Sequence, residues 1–187
     1  MSGIMKVRGK GKLEIIFIGS GAGGGTGMSF GDSNIIVRKD EILPGTGKTN
    51  ILVNYNDNDM PFPINVGTAN ITANQISAIL LTSSTANNFS DLANLVKSRT
   101  AGNIVDLIVP SVTFLNVLEQ LIQTQLGNPG TYPFSNYFNV IIINKPYGMY
   151  EDIGIKIFGG DGDYSVYFDD KIYYAGNNMD DIQFLNA

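Results

Sequence analysis

The 187-residue sequence contains no histidine, no cysteine and no tryptophan. Without histidine, the commonest general base near neutral pH and the commonest zinc ligand are both missing. Without cysteine, neither a disulfide framework nor a thiolate metal site can form, and redox chemistry gives no guide to compartment. Charge is sparse: 16% of residues are charged, with a formal net charge of −5. An acidic chain of this kind is not expected to bind nucleic acid through phosphate neutralisation. No apolar run is long enough to span a bilayer, and the basic start lacks the apolar core of a signal peptide. The expectation is a soluble protein, cytoplasmic or virion-associated, with no membrane partner.

What is present is enough for one core. Apolar residues make up 43% of the chain, which at this length suits a single domain. Residues 1–12, with Lys6, Arg8, Lys10 and Lys12 alternating with Val7, Gly9 and Gly11, read as a flexible basic arm. Residues 13–187 read as the domain.

Leu13-Glu14-Ile15-Ile16-Phe17-Ile18 is a β-branched apolar strand that runs into glycines at 19, 21, 23, 24, 25 and 27. The spacing Gly19, Gly21, Gly24 formally satisfies a dinucleotide-binding fingerprint. That fingerprint needs a helix directly after the glycines, and the turn-formers Gly27, Gly31, Asp32 and Ser33 leave no room for one. Gly47-Lys48-Thr49 lacks the earlier glycine of a phosphate loop, because position 42 is Ile. Asp57-Asn58-Asp59 lacks the glycine and distant glutamate of a calcium loop and reads as a solvated turn.

Further strands are expected at 34–38, 50–56, 76–82, 103–110 and 137–143, followed by three short antiparallel ones at 153–158, 164–168 and 171–174. Helices are expected over 90–99 and after Ser111, which has the side chain of a helix cap. The second helix places Val112, Leu115, Leu118, Ile122 and Leu126 on one face and ends at Gly127. Strand, turn and helix alternate as in a layered α/β fold. Asp161 and Asp163 belong to a glycine-rich hairpin turn, where two carboxylates are more often solvated than metal-bound.

Ile76-Ser77-Ala78-Ile79-Leu80-Leu81-Thr82, the polar turn Ser83-Ser84-Thr85-Ala86-Asn87-Asn88 and the helix after it resemble the strand, metal-binding turn and helix of the metallo-β-lactamase superfamily. The opening strand with its glycine turn, Ile51-Leu52-Val53-Asn54, and Ile172-Tyr173-Tyr174-Ala175-Gly176-Asn177 resemble three further family stretches. The resemblance implies a layered β-sandwich flanked by helices whose C-terminal part is missing.

It also implies a degenerate metal site. Ser83, Thr85 and Asn88 stand where the family has histidines, and Asn54, Asn87 and Asn177 stand where it has aspartates. Hydroxyls and amides keep hydrogen bonding but not the charge or basicity that zinc needs.

The resemblance therefore implies no metal, no cofactor and no metal-dependent hydrolysis. The first expectation is a structural or protein-interaction component that self-associates or binds protein partners. A composition rich in Asn and Gly suits a phage or other virion component. The alternative is a module that binds a nucleotide or RNA without cleaving it. Gly21, Gly23, Gly24 and Asn54, with Ser83, Thr85, Asn87, Asn88 and Asn177, would then supply neutral hydrogen bonds. Asp91, Asp161, Asp163 and Tyr164 are the groups left for an enzyme of another kind.

Overall fold

The computed structural model describes residues 3–7, 13–20, 33–39, 49–56, 60–82, 89–109, 111–127, 133–142, 147–150, 155–160, 163–168 and 172–174. The first half of the chain lays down the strands β1 (Gly3–Val7), β2 (Leu13–Ser20), β3 (Ser33–Lys39) and β4 (Thr49–Val53), paired antiparallel in that order. A small hairpin, β5 (Ile64–Val66) and β6 (Ala69–Ile71), leads to β7 (Ile76–Leu80). Then come α1 (Leu92–Lys97), β8 (Val105–Val109), α2 (Val112–Leu126) and β9 (Phe138–Ile142). The strands β4, β7, β8 and β9 are parallel neighbours, completing a seven-stranded sheet of order β1-β2-β3-β4-β7-β8-β9. A second, antiparallel sheet follows in chain order as β10 (Tyr147–Tyr150), β11 (Ile155–Gly160), β12 (Asp163–Phe168) and β13 (Ile172–Tyr174).

Side-chain alternation along the strands divides the core in two. Ile16, Ile36, Leu52, Ile79 and Leu107 point to one face, where they meet the β5–β6 hairpin and the apolar stripes of both helices. Ile15, Val37, Ile51, Leu80 and Ile108 point to the other, where they meet Ile155, Ile157, Val166 and Phe168 of the second sheet. The parity between β4 and β7 is kept by a register irregularity at Asn50/Ile51. The order of layers is thus helices, mixed sheet, antiparallel sheet. Each fully buried aliphatic or aromatic side chain contributes roughly 1.5–3 kcal/mol against its exposed state.

The helices form where the apolar spacing and caps placed them. The Ser111 hydroxyl accepts from the Phe114 N–H at 3.1 Å, and Gly127 closes α2 in the left-handed region at φ 72°. The buried stripe is Phe114, Leu118 and Ile122. Val112, expected on it, is 53% exposed, because the first turn begins before the helix lies over the sheet and Phe114 takes the inward place.

α1 is shorter than the expected span. Arg99 leaves the helix path to place its guanidinium under the start of β7, where it donates to the carbonyls of Ala73, Ile76 and Asn103. Its burial pushes the pKa down to about 10, by desolvation. It remains a cation at neutral pH, held among backbone dipoles.

Three elements differ from the sequence expectation. Part of the supposed flexible arm is the edge strand β1, in register with β2 from Gly3↔Phe17 to Val7↔Leu13; its five residues, Gly-Ile-Met-Lys-Val, run straight into the basic stretch and carry no strand signal of their own. The β5–β6 hairpin has strands of three residues, too short for its buried-exposed-buried alternation to stand out. β10 lies in a Tyr- and Gly-containing stretch with no clear period.

Candidate functional site

The four parallel strands end on one rim of the mixed sheet, the place where open α/β sheets present their loops. At this rim β4 gives way to Asn54-Tyr55-Asn56 and β7 to Leu81-Thr82. Asn54 takes a left-handed conformation, φ 56°, which Asn adopts more readily than most residues. The turn brings its backbone N–H to the carbonyl of Leu80 at 2.9 Å.

Its side chain then closes on Thr82. The Asn54 amide nitrogen donates to the Thr82 hydroxyl at 2.9 Å, and the Asn54 amide oxygen accepts from the Thr82 N–H at 3.0 Å. The Thr82 hydroxyl also lies 3.3 Å from that oxygen. Both residues are fully buried. Asn34 and Asn56 are buried on the same rim, Asn34 one residue beyond the pair Ile35↔Val53.

The segment that carries the rim toward α1 is held from both sides. The N–H of Asp91 reaches the carbonyl of Tyr55 at 3.4 Å, and the amide of Gln125 on α2 donates to the carbonyl of Ser90 at 3.2 Å. Phe89 packs edge-on against Phe114, with ring centroids 5.0 Å apart. Tyr55 is buried, and its hydroxyl donates to the carbonyl of Met60 at 3.2 Å.

Of the metal-site and ligand-binding positions that the resemblance implies, Asn54 is the one within the described structure. Ser83, Thr85, Asn87, Asn88, Asn177, Gly21, Gly23 and Gly24 lie outside the described residues, as does Asp161. Asp91 stands at the start of α1, its N–H on the carbonyl of Tyr55, and Asp163 and Tyr164 lie on β12, where Asp163 pairs with Gly160 in the second sheet. Sequence reasoning singled out Asn54 but missed its partner Thr82 and the neighbouring Asn34 and Asn56. The signal was there: polar side chains directly beside runs as apolar as Ile35-Ile36-Val37 and Ile51-Leu52-Val53 need partners when buried.

Chemically, the described rim is neutral. An amide and a hydroxyl neither gain nor lose a proton near pH 7, and both polar ends of the Asn54 amide are spent on Thr82. The sequence offers no imidazole or thiolate to a metal ion. Among the described residues no three Asp or Glu side chains gather as a metal-binding group.

Two packed sheets, helices over one face of the mixed sheet, and the meeting of Asn54 with the end of β7 agree with the resemblance in sequence. The fold is metallo-β-lactamase-like. Among solved structures the chain is similar to Zn(2+)-bound PqqB from Methylobacterium extorquens, at 14% identity and a TM-score of 0.48 over 82% of this chain and 58% of that one. It is similar also to the metallo-β-lactamase fold protein YhfI from Bacillus subtilis, at 10% identity and a TM-score of 0.46 over 82% and 57%. A third is a diphosphatase of the PhnP family, at 11% identity and a TM-score of 0.43 over 85% and 62%. The chain therefore spans less than two thirds of the length of these structures. No protein-family model matches the sequence, and no curated protein matches it either.

Proposed function

We propose that this metallo-β-lactamase-like protein is non-catalytic and serves as a structural or protein-interaction component of a larger assembly, a phage virion being the setting its composition suits. The observation that carries the reading is the absence of histidine and cysteine from the whole sequence. Metal-activated hydrolysis needs ligands that hold a Lewis acid and lower the pKa of its bound water. Asn54 and Thr82 support the same reading from the structure: the position where the family has an aspartate is used to tie two strand ends together. The scaffold then acts through its surface.

The test combines three measurements on the purified chain. Elemental analysis is expected to find no stoichiometric metal, and hydrolase activity is expected to be absent with or without chelator. Light scattering is expected to show self-association or, with its assembly partner, a defined complex. Stoichiometric zinc with chelator-sensitive hydrolysis overturns the proposal. A nucleotide that raises the unfolding midpoint replaces it with the sensing or sequestering module, since a ligand bound only by the native state must stabilise it.

A further inference from the structure

The strand β9 ends the mixed sheet. Among the described strands its one neighbour is β8, and its residues are Phe138-Asn139-Val140-Ile141-Ile142. Edge strands in natural proteins are usually blunted by lysine, proline or a bulge. β9 has none of these, and its pairing with β8 runs without a register shift. Val140 and Ile142 reach the helix-side core and Ile141 the core between the sheets, yet all three are only partly buried. Both cores therefore run out to this edge and stop there half-covered.

The direction of the free backbone groups follows from one hydrogen bond. The N–H of Val105 on β8 donates to the carbonyl of Tyr137 at 2.9 Å. Backbone groups alternate sides along a strand, so Asn139 and Ile141 also face β8, while Phe138, Val140 and Ile142 present their N–H and C=O outward. Three outward residues spaced by two, with Val140 in the middle, are self-complementary under a two-fold rotation. Antiparallel pairing about Val140 sets Phe138 opposite Ile142 of the second copy and Val140 opposite itself, each as a hydrogen-bonded pair.

Charge selects the occupant. Each copy carries a formal −5, so two copies repel wherever their charged surfaces meet. Between Asp106 and Lys145 the sequence has one charged side chain, Glu119, against 16% charged residues in the chain as a whole. That stretch supplies α2, the turn at Phe134 and β9. It also lines an open groove of about 540 Å³ beside the edge, with Glu119 and Gln123 on one wall and Phe134, Phe138 and Val140 on the other. Depletion of charge is the compositional mark of an interface core. It lets two like-charged copies meet at this edge with little repulsion.

We propose that β9 pairs antiparallel with β9 of a second copy about a two-fold axis through Val140, so that the mixed sheet continues across a dimer. The side chain of Ile142 of the second copy then lies beside Phe138, at the mouth of the groove. The proposal rests on the reading of the protein as an assembly component and names the surface that assembles.

The experiment uses the full chain and two variants. Val140→Pro removes the outward N–H at the centre of the pair and leaves the bonds to β8 in place, the position at which an edge strand tolerates proline. Val140→Cys introduces the sole thiol of the chain, and a hydrogen-bonded antiparallel pair holds its Cα atoms about 5.5 Å apart, within disulfide range. Light scattering is expected to give a dimer for the unmodified chain and a monomer for Val140→Pro, with unchanged circular dichroism. Mild oxidation of Val140→Cys is expected to give a covalent dimer, while a control thiol at the exposed Ser77 gives none. If Val140→Pro does not fold, the cysteine result decides. An oligomer that survives Val140→Pro and forms no disulfide at position 140 overturns the edge pairing and leaves the assembly reading standing. So does open-ended growth without that disulfide, the signature of β9 meeting β1 of the next copy. A monomer at all concentrations also overturns the edge pairing, and the metal and hydrolysis measurements then judge the wider reading separately.

Discussion

The amide of Asn54 and the residue Thr82, 28 positions apart, bind each other through both polar ends of the amide at 2.9 and 3.0 Å, in a region fully closed to solvent. This contact joins the ends of β4 and β7 where the parallel part of the sheet begins. Replacing Asn54 by Leu removes these bonds, leaves the Thr82 N–H buried without its acceptor and puts a branched side chain at φ 56°. The expected loss is about 2–4 kcal/mol, read from urea unfolding. Asn54→Gly loses the same bonds but accepts the backbone conformation, and is expected to cost about 1 kcal/mol less than Leu.

The caps of α2 give a second, local test. Ser111→Ala removes the acceptor for the Phe114 N–H and is expected to cost about 1 kcal/mol. Gly127→Ala is expected to cost about 1–2 kcal/mol. No atom lies within 4 Å of a Cβ built there, so its cost is that of the left-handed backbone rather than a clash. The two sites lie about 24 Å apart along the helix, so the double variant is expected to lose the sum.

Arg99 ties the start of β7 to the segment after α1 through the backbone carbonyls of Ala73, Ile76 and Asn103. Arg99→Met keeps the buried stem and removes the fork, and is expected to destabilise by about 2–4 kcal/mol. Arg99→Lys is expected to recover less than half of this, since an ammonium cannot span the carbonyls of Ile76 and Asn103 together. Thermal melts of the three chains rank them.

Between pH 6 and 9 stability is expected to be nearly constant. The sequence has no histidine or cysteine side chain to titrate in that window. Arg99 is depressed to about 10 in the folded chain, so well below pH 10 it is protonated in both states and adds no slope. Above pH 10 the unfolded chain binds more protons at this site, and its contribution then moves toward greater stability as pH rises. Melting temperatures measured across pH 6–9 check the flat region.

Much of this architecture was legible in the sequence because buried strands and helices announce themselves. Ile35-Ile36-Val37 and Ile51-Leu52-Val53 are too apolar to be anything but strands covered on both faces, and Ser111 and Gly127 mark the ends of α2. What escaped was structure with weak local signals. β1 is a five-residue edge strand, Gly-Ile-Met-Lys-Val, that runs into a basic stretch with the look of a tail, and β5 and β6 are three residues each. Val112 looked inward by spacing but faces solvent, since spacing fixes a face only where the helix overlies the sheet. At the site, Asn54 stood out by its place in a family-like stretch, whereas Thr82 became visible as its partner only when the fold joined positions far apart in the chain.

The Asn54–Thr82 clasp sits on the strand ends themselves. Strand ends fastened there keep their alignment whatever the segments beyond them become. Such an arrangement makes the alignment of β4 and β7 a property of the strand ends and of no residue further along the chain.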